Sequence, residues 1–151
     1  NNKNFLIILF LLLLIFVSKS FANENKKFLS LKNDEVNLRQ GPSFEYPIKF
    51  LYKKKHLPVE ILDESGTWRK IRDFQNNSGW IHISQLSKKK AAIVLDDNSI
   101  MFSSSTIYSN PVAVLKKGRL VRIKKCKDDW CKINIGEFKG WVKKESLWGL
   151  L

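Results

Sequence analysis

Apolar residues fall at every second position in a series of short stretches, each closed by turn residues. Glu35-Val36-Asn37-Leu38-Arg39 is the first clear case, and a period of two marks a strand with one buried face. Gln40-Gly41-Pro42-Ser43 breaks it, and Tyr46-Pro47 prolongs an irregular excursion before a second strand at Ile48 to Tyr52. Lys53-Lys54-Lys55-His56 is a charged turn. A third strand, Leu57 to Leu62, sets Leu57, Val59 and Ile61 on one face; Pro58 lacks a ladder donor and confines it to an edge or a strand start. Glu64 to Thr67 turns the chain into a fourth strand, Trp68 to Asp73, and Gln75 to Gly79 turns it into a fifth, Trp80 to Ile83. Phe28 to Leu31 reads as a lead-in strand and Ser84 to Ser87 as one helical turn. No segment sustains a helical period.

The pattern then repeats. Trp68-Arg69-Lys70-Ile71 and Gly79-Trp80-Ile81 return as Trp130-Cys131-Lys132-Ile133 and Gly140-Trp141-Val142. Pro47 matches Pro111 and Leu51 matches Leu115 at an offset of 64. After a two-residue gap, Val59, Ile61, Trp68 and Ile71 match Val121, Ile123, Trp130 and Ile133. One further deletion aligns Gly79-Trp80 with Gly140-Trp141 and Leu86 with Leu147. Copies of this size hold five or six short strands each, which suits a small closed barrel, because closure removes free sheet edges. His56 falls opposite Gly118, so that turn is expected to need a positive φ. Arg39-Gln40-Gly41-Pro42 becomes Ser103-Ser104-Ser105-Thr106, so any function of that loop belongs to copy one or has diverged. The fold class predicted is all-β, two tandem barrels, with residues 23–90 and 91–151 as the two domains and Lys88-Lys89-Lys90 as the linker.

The first residues follow another rule. Lys3 precedes an apolar run from Phe5 to Val17, and small residues stand at Ser20 and Ala22. That order describes a secretory signal peptide over residues 1–22. Thirteen helical residues reach about 20 Å, short of the roughly 30 Å hydrocarbon layer, which argues against a permanent anchor. The chain carries 27 basic and 14 acidic residues. Without Lys3 and Lys19 the remainder holds a net charge of +11, shared evenly between the copies. Such a surplus favours polyanions. For an exported protein these are a carboxylate-rich wall polymer or acidic lipid, and nucleic acid is not expected. The bias of 22 Lys against 5 Arg equally fits AT-rich coding.

Asn37-Leu38-Arg39-Gln40-Gly41-Pro42-Ser43 resembles the opening motif of bacterial SH3 domains, and Gly79-Trp80-Ile81 resembles their closing motif. Phe28 to Val94 is also similar to exported, two-module SH3-like proteins of alphaproteobacteria, through Tyr46-Pro47-Ile48, Leu57-Pro58-Val59-Glu60 and Trp68 to Asp73. Copy two joins the resemblance through Asp129 to Ile133 and Leu147-Trp148-Gly149. His56 departs from the Gly expected there. The resemblance implies an SH3-type barrel and, in many members, association with the cell wall; it implies no active site.

Cys126 and Cys131 flank Lys127-Asp128-Asp129-Trp130. With Asp128-Asp129 as a two-residue turn, the cysteines are opposed on paired strands, about 4.5–5.5 Å apart at Cα and within disulfide reach. Export favours the disulfide; a zinc or redox pair is disfavoured without a second pair or a C-x-x-C spacing. Glu64 and Arg69 hold the matching places in copy one. His82 lacks a positioned partner and reads as a structural histidine, and most of the tryptophans recur at core positions. Arg39, Phe44, Tyr46 and Tyr52, around the first loop, are the candidate ligand contacts, with Arg39 also able to bond the loop's own carbonyls. The expected function is an exported, non-catalytic binding module for peptidoglycan or an envelope protein, in the periplasm or cell envelope, with no cofactor and no metal. The alternatives are a wall hydrolase or redox accessory enzyme, and a peripheral protein on an anionic membrane surface.

Overall fold

A computed structural model describes residues 25–151; the leader expected at residues 1–22 lies outside the described residues. Two all-antiparallel sheets of seven strands follow one another. The first contains β1 (Phe28–Leu31), β2 (Val36–Arg39), β3 (Ile48–Tyr52), β4 (Pro58–Ser65), β5 (Trp68–Arg72), β6 (Ser78–His82) and β7 (Leu86–Ser87), in the order β3-β2-β6-β5-β4-β1-β7. The second contains β8 (Ala91–Val94), β9 (Ser99–Phe102), β10 (Pro111–Leu115), β11 (Leu120–Lys127), β12 (Trp130–Ile135), β13 (Phe138–Lys143) and β14 (Leu147–Leu150). Its order, β10-β9-β13-β12-β11-β8-β14, is the same topology. A single 3-10 turn, Ile83–Gln85 or Lys144–Ser146, precedes the last strand of each sheet. Each copy thus has more strands than the five or six expected, because its first and last short segments join the ladder.

Every strand of the first sheet feeds one core: Leu31, Val36, Leu38, Tyr52, Val59, Ile71, Ile81 and Leu86. A sheet whose seven strands all meet one core must be rolled, so each module is a small barrel. The second core has the same plan, with Met101, Val121, Ile133 and Val142 at its centre. The roll is closed by side chains rather than by the ladder, which stays open between β3 and β7 and between β10 and β14. Pro58 opens β4, where a missing donor is tolerated.

The strand pairing corrects the alignment of the copies. Val36 faces Tyr52 and Ser99 faces Leu115; Arg39 faces Trp80 and Phe102 faces Trp141. The offset in this hairpin is therefore 63, not 64, and Arg39 corresponds to Phe102 rather than Ser103. Repeated prolines misled the sequence alignment, since Pro111 stands where Ile48 stands. The shared Gly-Trp has a steric cause. A Cβ on Gly79 would lie 2.7 Å from the carbonyl oxygen of Arg39, and one on Gly140 2.6 Å from that of Phe102. His56 and Gly118 both take positive φ, 67° and 80°, as their alignment predicts.

The two barrels meet along a seam made by β14. Trp148 packs edge-on against Phe28 of β1, with ring centroids 4.9 Å apart, and lies 5.9 Å from Phe74. Gly149 passes so close to Ala91 and Ala92 that a Cβ there would stand 2.5 Å from the Ala91 carbonyl and 3.0 Å from the Pro58 ring. Trp148 thus packs the last strand onto the surface of the first barrel.

Candidate functional site

The first hairpin of copy one is held by Arg39. Its Nη1 donates to the carbonyl oxygens of Phe44 at 3.1 Å and Tyr46 at 2.8 Å. The Tyr46 ring lies over Gly41, where a Cβ would sit 2.6 Å from the ring, and Ser43 Oγ accepts from the Glu45 N–H at 3.0 Å. Arg39, Gly41 and Ser43 of this motif therefore shape the loop itself, and the structural role of Arg39 is the one observed.

That loop sets Phe44 over a groove. Trp68 and His82 are cross-strand partners on β5 and β6, with rings 5.2 Å apart. Phe44 stands 4.9 Å from Trp68 and 5.5 Å from His82, and the Arg39 guanidinium lies 5.5 Å from the Phe44 centroid. A cavity of about 140 Å³ is lined by these four residues with Glu35, Asn37 and Gln85. Phe44 is 65% exposed and Trp68 only 7%, so one ring offers a face to solvent and the other supports it. His82 Nδ1 lies 2.8 Å from Ser84 Oγ and accepts the Ser84 N–H at 3.3 Å, which caps the 3-10 turn.

The other candidates separate. Tyr46 is exposed, and its ring lies on Gly41 rather than in the groove lining. Tyr52 is corrected: it is 4% exposed, points into the core opposite Val36, and donates its hydroxyl to Asp73 Oδ2 at 2.9 Å. Burial, then the Asp73 carboxylate, pushes its phenol above the ordinary range. The exposed ring of that strand is Phe50. Sequence reading missed Trp68 and His82 as groove walls. The signal was present in their spacing, since Trp68 opens β5 and His82 ends β6, which makes them opposed.

Copy two builds a related aromatic cluster from different residues. Phe102 replaces Arg39 and packs 5.7 Å from Trp130; Lys143 replaces His82 and sets its Nζ 5.7 Å from the same Trp130 ring. Its loop is tied by hydroxyls instead of a guanidinium, with Ser109 Oγ donating to the carbonyls of Thr106 at 2.8 Å and Ser104 at 3.2 Å. In the same copy, Cys126 and Cys131 are disulfide-bonded across the Asp128-Asp129 turn, Cα 4.0 Å apart. Glu64 and Arg69 form the matching ion pair in copy one at 3.4 Å, joined by Lys27.

The family model for the bacterial SH3 domain matches the chain twice, at residues 32–88 and 100–149. The chain belongs to the bacterial SH3 domain family, as two tandem SH3-like domains. No curated protein matches it. Among solved structures, NlpC2 from Trichomonas vaginalis is similar at 13% identity and a TM-score of 0.38, over 84% of this chain and 49% of that one. NlpC1 from the same organism gives 15% and 0.38, over 86% and 48%. An NlpC/P60 family protein from Bacillus cereus ATCC 10987 gives 10% and 0.36, over 81% and 56%. The chain thus spans about half the length of the solved proteins it matches.

Proposed function

We propose that the chain is an exported, non-catalytic binding module of the cell envelope, and that its first domain holds peptidoglycan in the Phe44–Trp68–His82 groove. One observation carries the reading: Phe44 is exposed, yet fixed against two rings by a loop that Arg39 locks through Phe44's own carbonyl. A pre-positioned aromatic face gives contact area with little ordering left to do on binding. Asn37, Gln85 and Glu35 border it with hydrogen-bonding groups suited to sugar hydroxyls and peptide amides. The net +11 of residues 23–151 adds long-range attraction to a polymer rich in carboxylates. The Cys126–Cys131 disulfide supports export, since such bonds persist in oxidising compartments. The contact of His82 with Ser84 favours binding over hydrolysis, because the ring nitrogen that would act as base caps the 3-10 turn.

Co-sedimentation with purified peptidoglycan tests this. Binding is expected at low salt and, weakened, at physiological salt, where the Debye length is about 8 Å. Phe44→Ala should lower the bound fraction at both salts and leave the melting temperature unchanged. Absence of binding at low salt, where attraction is strongest, sinks the reading.

A further inference from the structure

A second surface recurs in both domains, away from the groove. In copy one a cavity of about 290 Å³ lies between the end of β3 and the turn after β5, with Leu51, Tyr52, Lys53 and Phe74 in its walls. In copy two a cavity of about 270 Å³ lies at the same place, with Val114, Leu115, Lys116 and Phe138. The pairs Leu51 and Val114, Tyr52 and Leu115, Lys53 and Lys116 are structural equivalents by strand register. The two hollows also adjoin. Gly118 lines the first, while Lys116 and Arg119 of the same turn line the second. One face therefore crosses both domains, with two apolar hollows separated by a cationic ridge. Leu51, Val114 and Phe138 open onto solvent, the last two each at 59%, while Tyr52 and Leu115 form the buried floor. Among the described residues lining the two hollows, Asp73 is the one carboxylate. Its oxygens already accept from Tyr52, Gln75 and Asn77.

We propose that this face binds an extended, acidic segment of a partner protein, with apolar side chains in the two hollows and carboxylates on the Lys116–Arg119 ridge. Three features favour that occupant. The hollows are concave, and so fit side chains better than the plane of a bilayer. β3 and β10, which carry Leu51 and Val114, are the outermost strands of their sheets, each with a ladder partner on one side only. Such an edge can receive an added strand, with pockets that read alternate side chains. The ridge is cationic, which selects an acidic segment and opposes a second copy of this basic chain.

The test is fluorescence anisotropy with the purified protein and a labelled peptide of alternating Leu and Glu, beside a peptide of alternating Leu and Gln. The acidic peptide should bind about tenfold or more tightly at low salt, with the difference shrinking as salt rises. Phe138→Ser should weaken it about tenfold, and Lys116→Glu with Arg119→Glu should abolish the preference for Glu. These positions are on the surface, so the melting temperature should hold; Lys116→Gln with Arg119→Gln should give an intermediate loss. Phe44→Ala should leave peptide binding intact. Equal binding of both peptides, or loss of binding in Phe44→Ala, overturns the proposal. So does a protein that ignores the acidic peptide and binds phosphatidylglycerol vesicles through the same ridge cations, which would make this a lipid surface.

Discussion

Replacing Tyr52 by Phe removes one hydroxyl and nothing else, which makes it a sharp test of the packing described above. The lost bond is buried and runs to a carboxylate, a class that contributes about 1.5–3 kcal/mol. The low end applies, because Asp73 keeps the backbone N–H groups of Gln75 and Asn77 and the Asn77 side-chain amide, at 2.8–2.9 Å. A loss near 1.5 kcal/mol corresponds to a fall of roughly 6–12 °C in the melting of a domain of this size. Thermal unfolding followed by circular dichroism reads it. Asp73→Ala should cost more, since it frees the whole 73–77 turn, and in that background Tyr52→Phe should be nearly silent. The pH dependence has a defined sign. The phenol is held neutral in the fold and ionises near pH 10 when unfolded, so its contribution is full below about pH 10 and is lost as pH rises further. Tyr52→Phe should flatten that alkaline decline. Peptidoglycan binding should not change. A loss under about 0.5 kcal/mol, or an equal loss with and without Asp73, would refute the reasoning.

Four further outcomes are expected. Gly79→Ala and Gly140→Ala should each destabilise their domain by about 2 kcal/mol or more in urea unfolding, because the new methyl meets backbone that cannot retreat. Reducing Cys126–Cys131 should cost the second domain about 2 kcal/mol, the value for so short a loop, and leave the first domain unaffected. Arg39→Ala should destabilise the first domain by about 1 kcal/mol for each carbonyl released and so lower its melting temperature; an unchanged melting temperature would show that the loop holds without it. Burial, then Arg122 and the nearby lysines, lowers the pKa of His56, so the unfolded chain takes the proton first and stability should drop as pH falls below about 6.5. His56→Gly should remove that drop and relieve the positive φ, for a gain of about 0.5–1 kcal/mol by differential scanning calorimetry at pH 7.

The strands, the duplication and the cysteine pair were legible because each is a local pattern: a period of two, a repeated Gly-Trp, a hairpin four residues long. Tyr52 was not legible. It sits in a strand with Phe50 and Leu51, and a run of apolar residues does not say which face is inside. The bulge between Leu38 and Arg39 hides the phase further. The groove walls were missed for a related reason. Trp68 is a core-like residue, and it becomes part of a site only because β5 and β6 pair in a register that sets His82 beside it and the loop folds Phe44 over both. The one-residue slip between copies came from trusting prolines, whose places are set by each loop, over the inward-pointing residues, whose places are set by the core.

The seam bears on the order in which the molecule is made. Trp148 and Gly149 stand on β14, yet the surface they cover, Phe28, Phe74 and Pro58, is formed by the first domain. A chain that emerges N-terminus first can complete the first barrel while the strand that covers it is still unsynthesised. During that interval an apolar face stands open. It is shielded only when β8, β11 and β14 have paired and carried Trp148 back to it. The second domain is thus the lid of the first, and a pulse of proteolysis or a chaperone would find its target in the nascent chain at Phe28 and Phe74.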